Sequence, residues 1–297
     1  MTPIDAALGR REPWPAPGKL NLFLHVVGRR PDGYHRLQTA FQFIDLADEI
    51  RFWRRPPGVI ERLGEVPGVP ADLDLTVRAA RLLAKRAPPG VPGVAIEVTK
   101  RLPVQGGVGG GSSDAATVLV ALDALWGLDL GAEALAGLGL RLGADVPVFV
   151  RGQAAWAEGV GELLTAADFP EAVYFLVRPD ATVSTAEVFE APELTRDSPE
   201  IRIRDFLTIG GRNDCEPVVR RRFPAVAEAL DWLGRFAPAR LTGTGACVFA
   251  AMPDVPQARA VLGQLPARWM GWVVRGMNRS PLAARLALER GGAGGGR

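Results

Sequence analysis

The stretch PVQGGVGGGSSDAATVLVALDALWG, residues 103–127, constrains the fold more than any other, because five of the six residues from Gly106 to Gly111 are glycine. It follows GVAIEVTKRLPV (93–104), a run rich in β-branched residues that reads as a strand. It opens a segment from Ser113 to Trp126 in which Ala115, Leu119, Leu122 and Trp126 share one helical face before Gly127 stops the pattern. A strand that feeds a helix through bare backbone presents unpaired N–H groups and the positive end of a helix dipole, and glycine lets an anion approach both closely. The bland alternative is a flexible turn with Ser113 as its N-cap. Neither common phosphate loop fits: Ser112 stands where a Walker lysine would follow the last glycine, and the spacing is not G-x-G-x-x-G.

The rest of the chain alternates strand and helix patterns. KLNLFLHVVG (19–28), EIRFWRR (49–55), VPVFV (146–150), VYFLVRP (173–179), GACVFAA (245–251) and GWVVRGM (271–277) read as strands. LTVRAARLLAKRA (75–87), GAEALAGLGLRLG (131–143), EPVVRRRFPAVAEALDWLGRFA (216–237) and QARAVLGQL (257–265) read as helices. The expected organisation is an N-terminal domain over 1–163 and a C-terminal domain over 164–285, joined near Gly159 to Pro170, with a disordered tail at 286–297. There is no internal repeat.

Composition removes several function classes. With 297 residues, 47% hydrophobic and 23% charged, the chain can bury a sizeable core. A net charge of +2 without interleaved arginines and aromatics argues against a nucleic-acid partner. No uncharged run approaches the roughly 18 residues needed to span a bilayer, and two cysteines give neither a disulfide framework nor a four-cysteine zinc site, so a cytoplasmic location is expected and no membrane partner. Against an arginine-rich background of only three lysines, three asparagines, two tyrosines and two histidines, the segment 19–35 holds Lys19, Asn21, His25, Tyr34 and His35. His25 lies in an apolar strand pattern and reads as structural.

GGVGGGSSDAA, a glycine loop between strand and helix, resembles the central motif of the GHMP small-molecule kinases. The resemblance extends over about residues 14 to 285 through PGKLNLFLHVVGRRPDGYHRLQTAFQFIDLADEI, LGADVPVFVRGQAAWAEGVGE, RNDCE, RLTGTGACVFA and GWVVRGMNRSPL. It implies an α+β fold with an N-terminal ribosomal-protein-S5-like ATP-binding domain, a C-terminal ferredoxin-like α/β domain and an active site in the cleft between them. It also implies ATP as phosphoryl donor, Mg²⁺ bound through the phosphates with a contribution from Ser112, no protein metal site, and small-molecule substrates only. Oligomeric state stays open.

Residue by residue, the resemblance makes Asp145 of GADVP the catalytic base and Lys19 the ammonium that orients the acceptor hydroxyl and the transferred phosphoryl group. Pro103, Gly106, Gly107, Val108, Gly109, Gly110, Gly111, Ser112 and Ser113 become the ATP loop. The member resembled acts on an alcohol that carries a cytidine diphosphate. Tyr34 and Phe189 would then stack on the two faces of the cytosine, His35 would bond its polar edge, Thr185 would stand beside them, and Asn21 would meet the alcohol end. The second glycine loop, LTGTGAC (241–247), and Asn213 and Asp214 of RNDCE match without an assigned role. Three positions depart from the pattern: Gln105 replaces a loop glycine, Gly18 an alanine, and Asp74 an asparagine near the adenosine. A kinase for another small alcohol, homoserine- or mevalonate-kinase-like, would need the loop and Asp145 but not the aromatic cluster. A nucleotide-binding regulator would dispense with Lys19 or Asp145.

Overall fold

Two long antiparallel strands, β1 (Trp14–Arg29) and β2 (His35–Arg55), form the spine of the protein. The structure, a computed structural model, describes residues 7–8, 12–64 and 69–292. Beside the spine lie β3 (Ile60–Leu63), α1 (Leu75–Ala84), β4 (Gly93–Thr99), α2 (Gly110–Leu125), α3 (Ala132–Leu140), α4 (Val146–Arg151), β5 (Ala155–Glu158) and β6 (Leu163–Ala166). The second half comprises β7 (Val173–Arg178), α5 (Thr185–Glu190), α6 (Ile203–Ile209), α7 (Glu216–Arg222), α8 (Pro224–Gly234), β8 (Ala239–Leu241), β9 (Val248–Met252), α9 (Val255–Leu262), β10 (Met270–Met277) and α10 (Pro281–Gly292).

The strands run in the order β3-β4-β2-β10-β7-β9-β8, with β1 on β2 and the β5–β6 hairpin also attached to β2. All pairings are antiparallel except β3 with β4. The two halves meet where Gly276 and Met277 of β10 pair with Ile44 and Phe43 of β2. One core lies between the first-half sheet and α1–α4, around Phe43, Ile50, Leu83, Leu119 and Phe149; a second, around Phe175, Val219, Leu230 and Val248, lies beneath α7 and α8. This is the expected mixed α+β architecture.

Three expectations need correction. VPVFV is the helix α4, not a strand: Pro147 stands in its first turn, where its missing N–H costs nothing, and Gly152 at φ 65° ends it. A five-residue apolar run cannot by itself distinguish a buried helix from a strand. The segment 216–237 is two helices, because Phe223 precedes Pro224 and is pushed out of the helical region to φ −125°, ψ 82°. The tail expected from 286 is helical to Gly292. Leu286 packs against the first core, and the guanidinium of Arg285 lies 4.2 Å from the centre of the Trp14 ring. The chain thus returns to its N-terminal half; the remainder of the expected tail, 293–297, lies outside the described residues.

Candidate active site

The glycine loop occupies the junction of the two halves. Gly109, at φ 73°, caps α2 in a conformation that disfavours any side chain, and Ser113 donates its N–H to the Gly109 carbonyl rather than acting as the cap itself. Val108 accepts the N–H of Lys19 at 2.9 Å, which ties the loop to β1. The second glycine loop braces it from behind. Cys247 and Ala246 donate N–H groups to the carbonyls of Gly106 and Gln105, and the Thr242 hydroxyl donates to Gly107. Gln105 holds φ 54°, which accounts physically for glycine being the pattern residue there.

Lys19 and Asn21 are buried neighbours on one side of β1. The Lys19 ammonium stands 3.3 Å from Asp145 Oδ2, donates to Asn21 Oδ1 and lies 5.0 Å from the centre of the Phe41 ring. Asn21 is itself fixed, its backbone N–H bonding the Thr242 hydroxyl at 3.0 Å and its Nδ2 bonding Thr39 Oγ1 at 2.9 Å. Asp145 sits at the N-cap of α4, with a third of its side chain exposed. Lys19, Asn21, Thr39, Phe41 and Asp145 line a cavity of about 320 Å³ with Gly107, Gly109, Thr185, Phe189 and Thr244. The other loop residues, Pro103, Gly106, Val108, Gly110, Gly111, Ser112 and Ser113, do not line it. Ser113 is fully buried, and its hydroxyl has no hydrogen-bond partner among the described residues.

A wider cavity of about 790 Å³ adjoins, lined by Tyr34, His35, Phe189, Thr185 and Arg196. Thr185 bonds Thr244 of the second glycine loop, with 2.9 Å between the hydroxyl oxygens. Tyr34 is largely exposed. Phe189 stacks on His35, with ring centres 5.2 Å apart and planes inclined by 27°. A base held between two rings requires them about 7 Å apart, twice the aromatic contact distance, so it cannot enter between this pair as it stands. Burial, then the charges of Arg196 and Arg29, hold the His35 pKa below its ordinary value.

Reading the sequence missed Arg196, Thr39, Phe41 and Lys100. Arg196 donates to His35 Nε2 at 3.0 Å. Thr39 and Phe41 complete the floor of the smaller cavity. Lys100 bonds Asp48 and, at 2.8 Å, Asp114, two buried carboxyl groups, and its ammonium lies 3.5 Å from where a Cβ on Gly110 would stand. The Asp114 carboxyl is pushed up to about 7 by burial, with Lys100 opposing and Asp48 reinforcing the shift. Only the rarity of lysine in this chain hinted at Lys100. His25 is buried against Phe23, edge to face at 5.0 Å, away from both cavities, in keeping with its structural reading. Asp74 caps α1 through the Thr76 N–H and pairs with Arg62 at 2.7 Å. Asp214 ties β1 to the second half by accepting the Val26 N–H, and Asn213 Nδ2 bonds the Leu241 and Gly243 carbonyls within that half.

Residues 74–153 match the family model of the GHMP kinases N terminal domain, and residues 196–270 that of the GHMP kinases C terminal domain. The chain belongs to the GHMP kinase family. The 4-diphosphocytidyl-2-C-methyl-D-erythritol kinase of Halorhodospira halophila is 59% identical over 279 residues, covering 92% of this chain and 96% of that one. The enzyme of the same name from Alkalilimnicola ehrlichii is 58% identical over 277 residues, 93% of this chain and 95% of its own. A crystal structure of 4-(cytidine 5'-diphospho)-2C-methyl-D-erythritol kinase superposes with a TM-score of 0.77 at 32% identity, over 89% of this chain and 98% of that chain. A mevalonate kinase shares the fold at a TM-score of 0.69 and 17% identity, over 90% of this chain and 99% of its own.

Proposed function

We propose that this chain transfers the γ-phosphoryl group of ATP to the 2-hydroxyl of 4-diphosphocytidyl-2-C-methyl-D-erythritol, with Asp145 as base and Lys19 beside it. The observation that carries the reading is the continuity of the two cavities: Leu37, Ala144, Val160, Thr185 and Phe189 line both. An alcohol joined through a diphosphate to a base is a ligand of that shape, with the alcohol at the Lys19–Asp145 end and the base at the Tyr34–His35–Phe189 end. The 59% and 58% identical relatives bearing that substrate in their names support the assignment. A kinase for homoserine or mevalonate would have no use for the aromatic end.

The chemistry needs little beyond placement and charge. Asp145 accepts the hydroxyl proton as the oxygen attacks phosphorus. The Lys19 ammonium orients the acceptor and offsets charge on the transferred group, while Asn21 and the Phe41 ring hold it in place. The N–H groups at the start of α2 receive the ATP phosphates. Among the described residues no group of three or more His, Cys, Asp or Glu could hold a metal ion. Mg²⁺ would rest on the ATP phosphates, with the Ser112 hydroxyl at the head of α2 as the protein contribution, and would neutralise phosphate charge. No helix among the described residues is long and apolar enough to cross a membrane, and a cytoplasmic enzyme of small-molecule metabolism is the reading we favour.

ADP release measured with the cytidyl alcohol, mevalonate and homoserine as acceptors tests the assignment. Turnover with the first at a kcat/KM at least about a hundredfold above the others is expected, the scale of a site whose buried polar groups fit one ligand only. Equal or greater turnover of either competitor would overturn it.

A further inference from the structure

The guanidinium of Arg196 makes four hydrogen bonds: Nε to His35 Nε2 at 3.0 Å, Nη1 to the Leu194 carbonyl at 3.0 Å, and Nη2 to the carbonyls of Phe189 at 3.0 Å and Ala191 at 2.7 Å. One side chain therefore connects the His35 ring, at the start of β2, to the end of α5 that carries Phe189. Nothing in the motifs marks it. The chemistry of the His35 contact is one-directional. A guanidinium has five N–H donors and no acceptor, so the imidazole nitrogen facing it must carry a lone pair. In the neutral ring the proton then resides on Nδ1. No protein group among the described residues accepts a bond from Nδ1, and His35 lines the wider cavity.

We infer that Arg196 is a positioning residue that fixes His35 in the Nδ1–H tautomer, so that the base cavity presents a donor and accepts a pyrimidine whose N3 bears a lone pair while rejecting one whose N3 bears a hydrogen. Cytosine N3 and O2 are acceptors, whereas uracil carries N3–H, which would face the His35 N–H donor to donor. A histidine free to exchange tautomers could turn Nδ1 into an acceptor and admit either base. The positive guanidinium also disfavours protonation of the ring, which keeps the imidazole neutral and so keeps its tautomer meaningful. This inference rests on the cytidyl end of the function proposed above and adds the means by which that end is read.

Two measurements test it separately from the function. The chain has only two histidines, so the imidazole nitrogens give a simple long-range ¹H–¹⁵N spectrum, with His25→Gln supplying the assignment. Wild-type His35 is expected to show a protonated Nδ1 and an unprotonated Nε2, and Arg196→Met a mixed population. The opposite tautomer in the wild type overturns the inference without reference to any variant, so a poorly folding Arg196→Met leaves it testable. The second measurement is kcat/KM for the cytidyl alcohol and its uridyl analogue. Wild type is expected to favour the cytidyl compound by about ten- to hundredfold, the usual effect of one mispaired buried donor. Arg196→Met is expected to raise kcat/KM for the uridyl compound while lowering it for the cytidyl one, a crossing that general damage to the site would not produce; Arg196→Lys, able to donate to Nε2 again, restores part of the preference. A parallel fall for both compounds, or an unchanged ratio, overturns the inference. Failure of the wild type to phosphorylate the cytidyl alcohol at all, with the expected tautomer present, instead overturns the function on which the inference rests.

Discussion

Gly109 and Gly110 are adjacent, yet an added methyl group should have opposite effects on the fold at the two positions. At Gly109 the backbone is at φ 73°, and a Cβ would lie 2.9 Å from Phe149 Cζ and 3.2 Å from Lys19 Cε. The left-handed conformation costs a non-glycine residue about 1–2 kcal/mol, and forcing a methyl into a filled core costs about 1–3 kcal/mol. The Gly109→Ala variant is thus expected to lose about 2–5 kcal/mol, or about 4–10 °C in Tm at about 2 °C per kcal/mol for a chain of this size. At Gly110, the first residue of α2, the nearest atoms to a Cβ are Leu102 Cδ1 and Lys100 Nζ, both at 3.5 Å, an ordinary contact. Gly110→Ala is expected to leave the fold unchanged or stabilise it by up to about 1 kcal/mol through the unfolded chain. Its methyl would instead crowd the phosphate approach and weaken binding of a non-hydrolysable ATP analogue by calorimetry. Thermal unfolding of both variants with and without that analogue separates the effects. Equal stability of the two alanine variants would refute the strain reasoning, and undiminished ATP affinity in Gly110→Ala would refute the loop's role.

Asp145→Asn is expected to retain the fold and ATP affinity while kcat falls by at least about a hundredfold, the scale of a lost general base, and near-normal turnover would remove Asp145 from that role. Lys19→Arg keeps the charge but cannot reproduce a point donor on Asn21 at its present reach, so a clear fall in kcat is expected by the same assay. Tyr34→Ala and Phe189→Ala are each expected to weaken binding of the cytidyl alcohol by about 1–3 kcal/mol, the range for base stacking, and to leave ATP binding unchanged. For Asp114, the carboxyl binds its proton more tightly folded, at about 7, than unfolded, at an ordinary carboxylate value near 3.8. That contribution to stability is therefore complete below about pH 4 and lost as pH rises to about 7. Denaturant titrations across this window should show Asp114→Asn with a flatter profile and a gain over wild type at pH 8.

How far the chain could be read depended on whether a residue's partner is local. The glycine loop, α1, α2 and α3 were legible because their signals, glycine density and 3.6-residue periodicity, are contained within a dozen residues. The first half of β2 was not assigned, although it runs through the middle of the sheet. Its polar residues Gln38, Thr39 and Gln42 are buried and break the alternation, and they are satisfied from far along the chain: Gln38 by Glu158, Gln42 by the Pro170 carbonyl and the Tyr174 hydroxyl. Arg196 and Lys100 escaped notice for the same reason. Lys19 and Asp145 were placed through family resemblance; spacing alone could not have put residues 126 positions apart at 3.3 Å.

The second glycine loop illustrates what tertiary structure adds to the first. Read alone, the glycines of GGVGGG have one purpose, to clear space for phosphate, but the structure divides the work among them. Gly107 serves the junction of the two halves, since a Cβ there would stand 2.3 Å from the Thr242 carbonyl oxygen and 2.9 Å from that of Gly245. Gly109 serves the turn into α2 and the close passage of Lys19, and only Gly110 and Gly111 lie in open or loosely contacted space. Thr242 completes the link, for its hydroxyl donates to Gly107 and accepts from Asn21, the residue that steadies the Lys19 ammonium. A displacement of the C-terminal half would therefore move the first glycine loop and Lys19 together. This gives LTGTGAC a structural role beside its place in the cavity wall, where Gly243 and Thr244 stand: it holds the first glycine loop and the Lys19–Asp145 end of the cavity in one register.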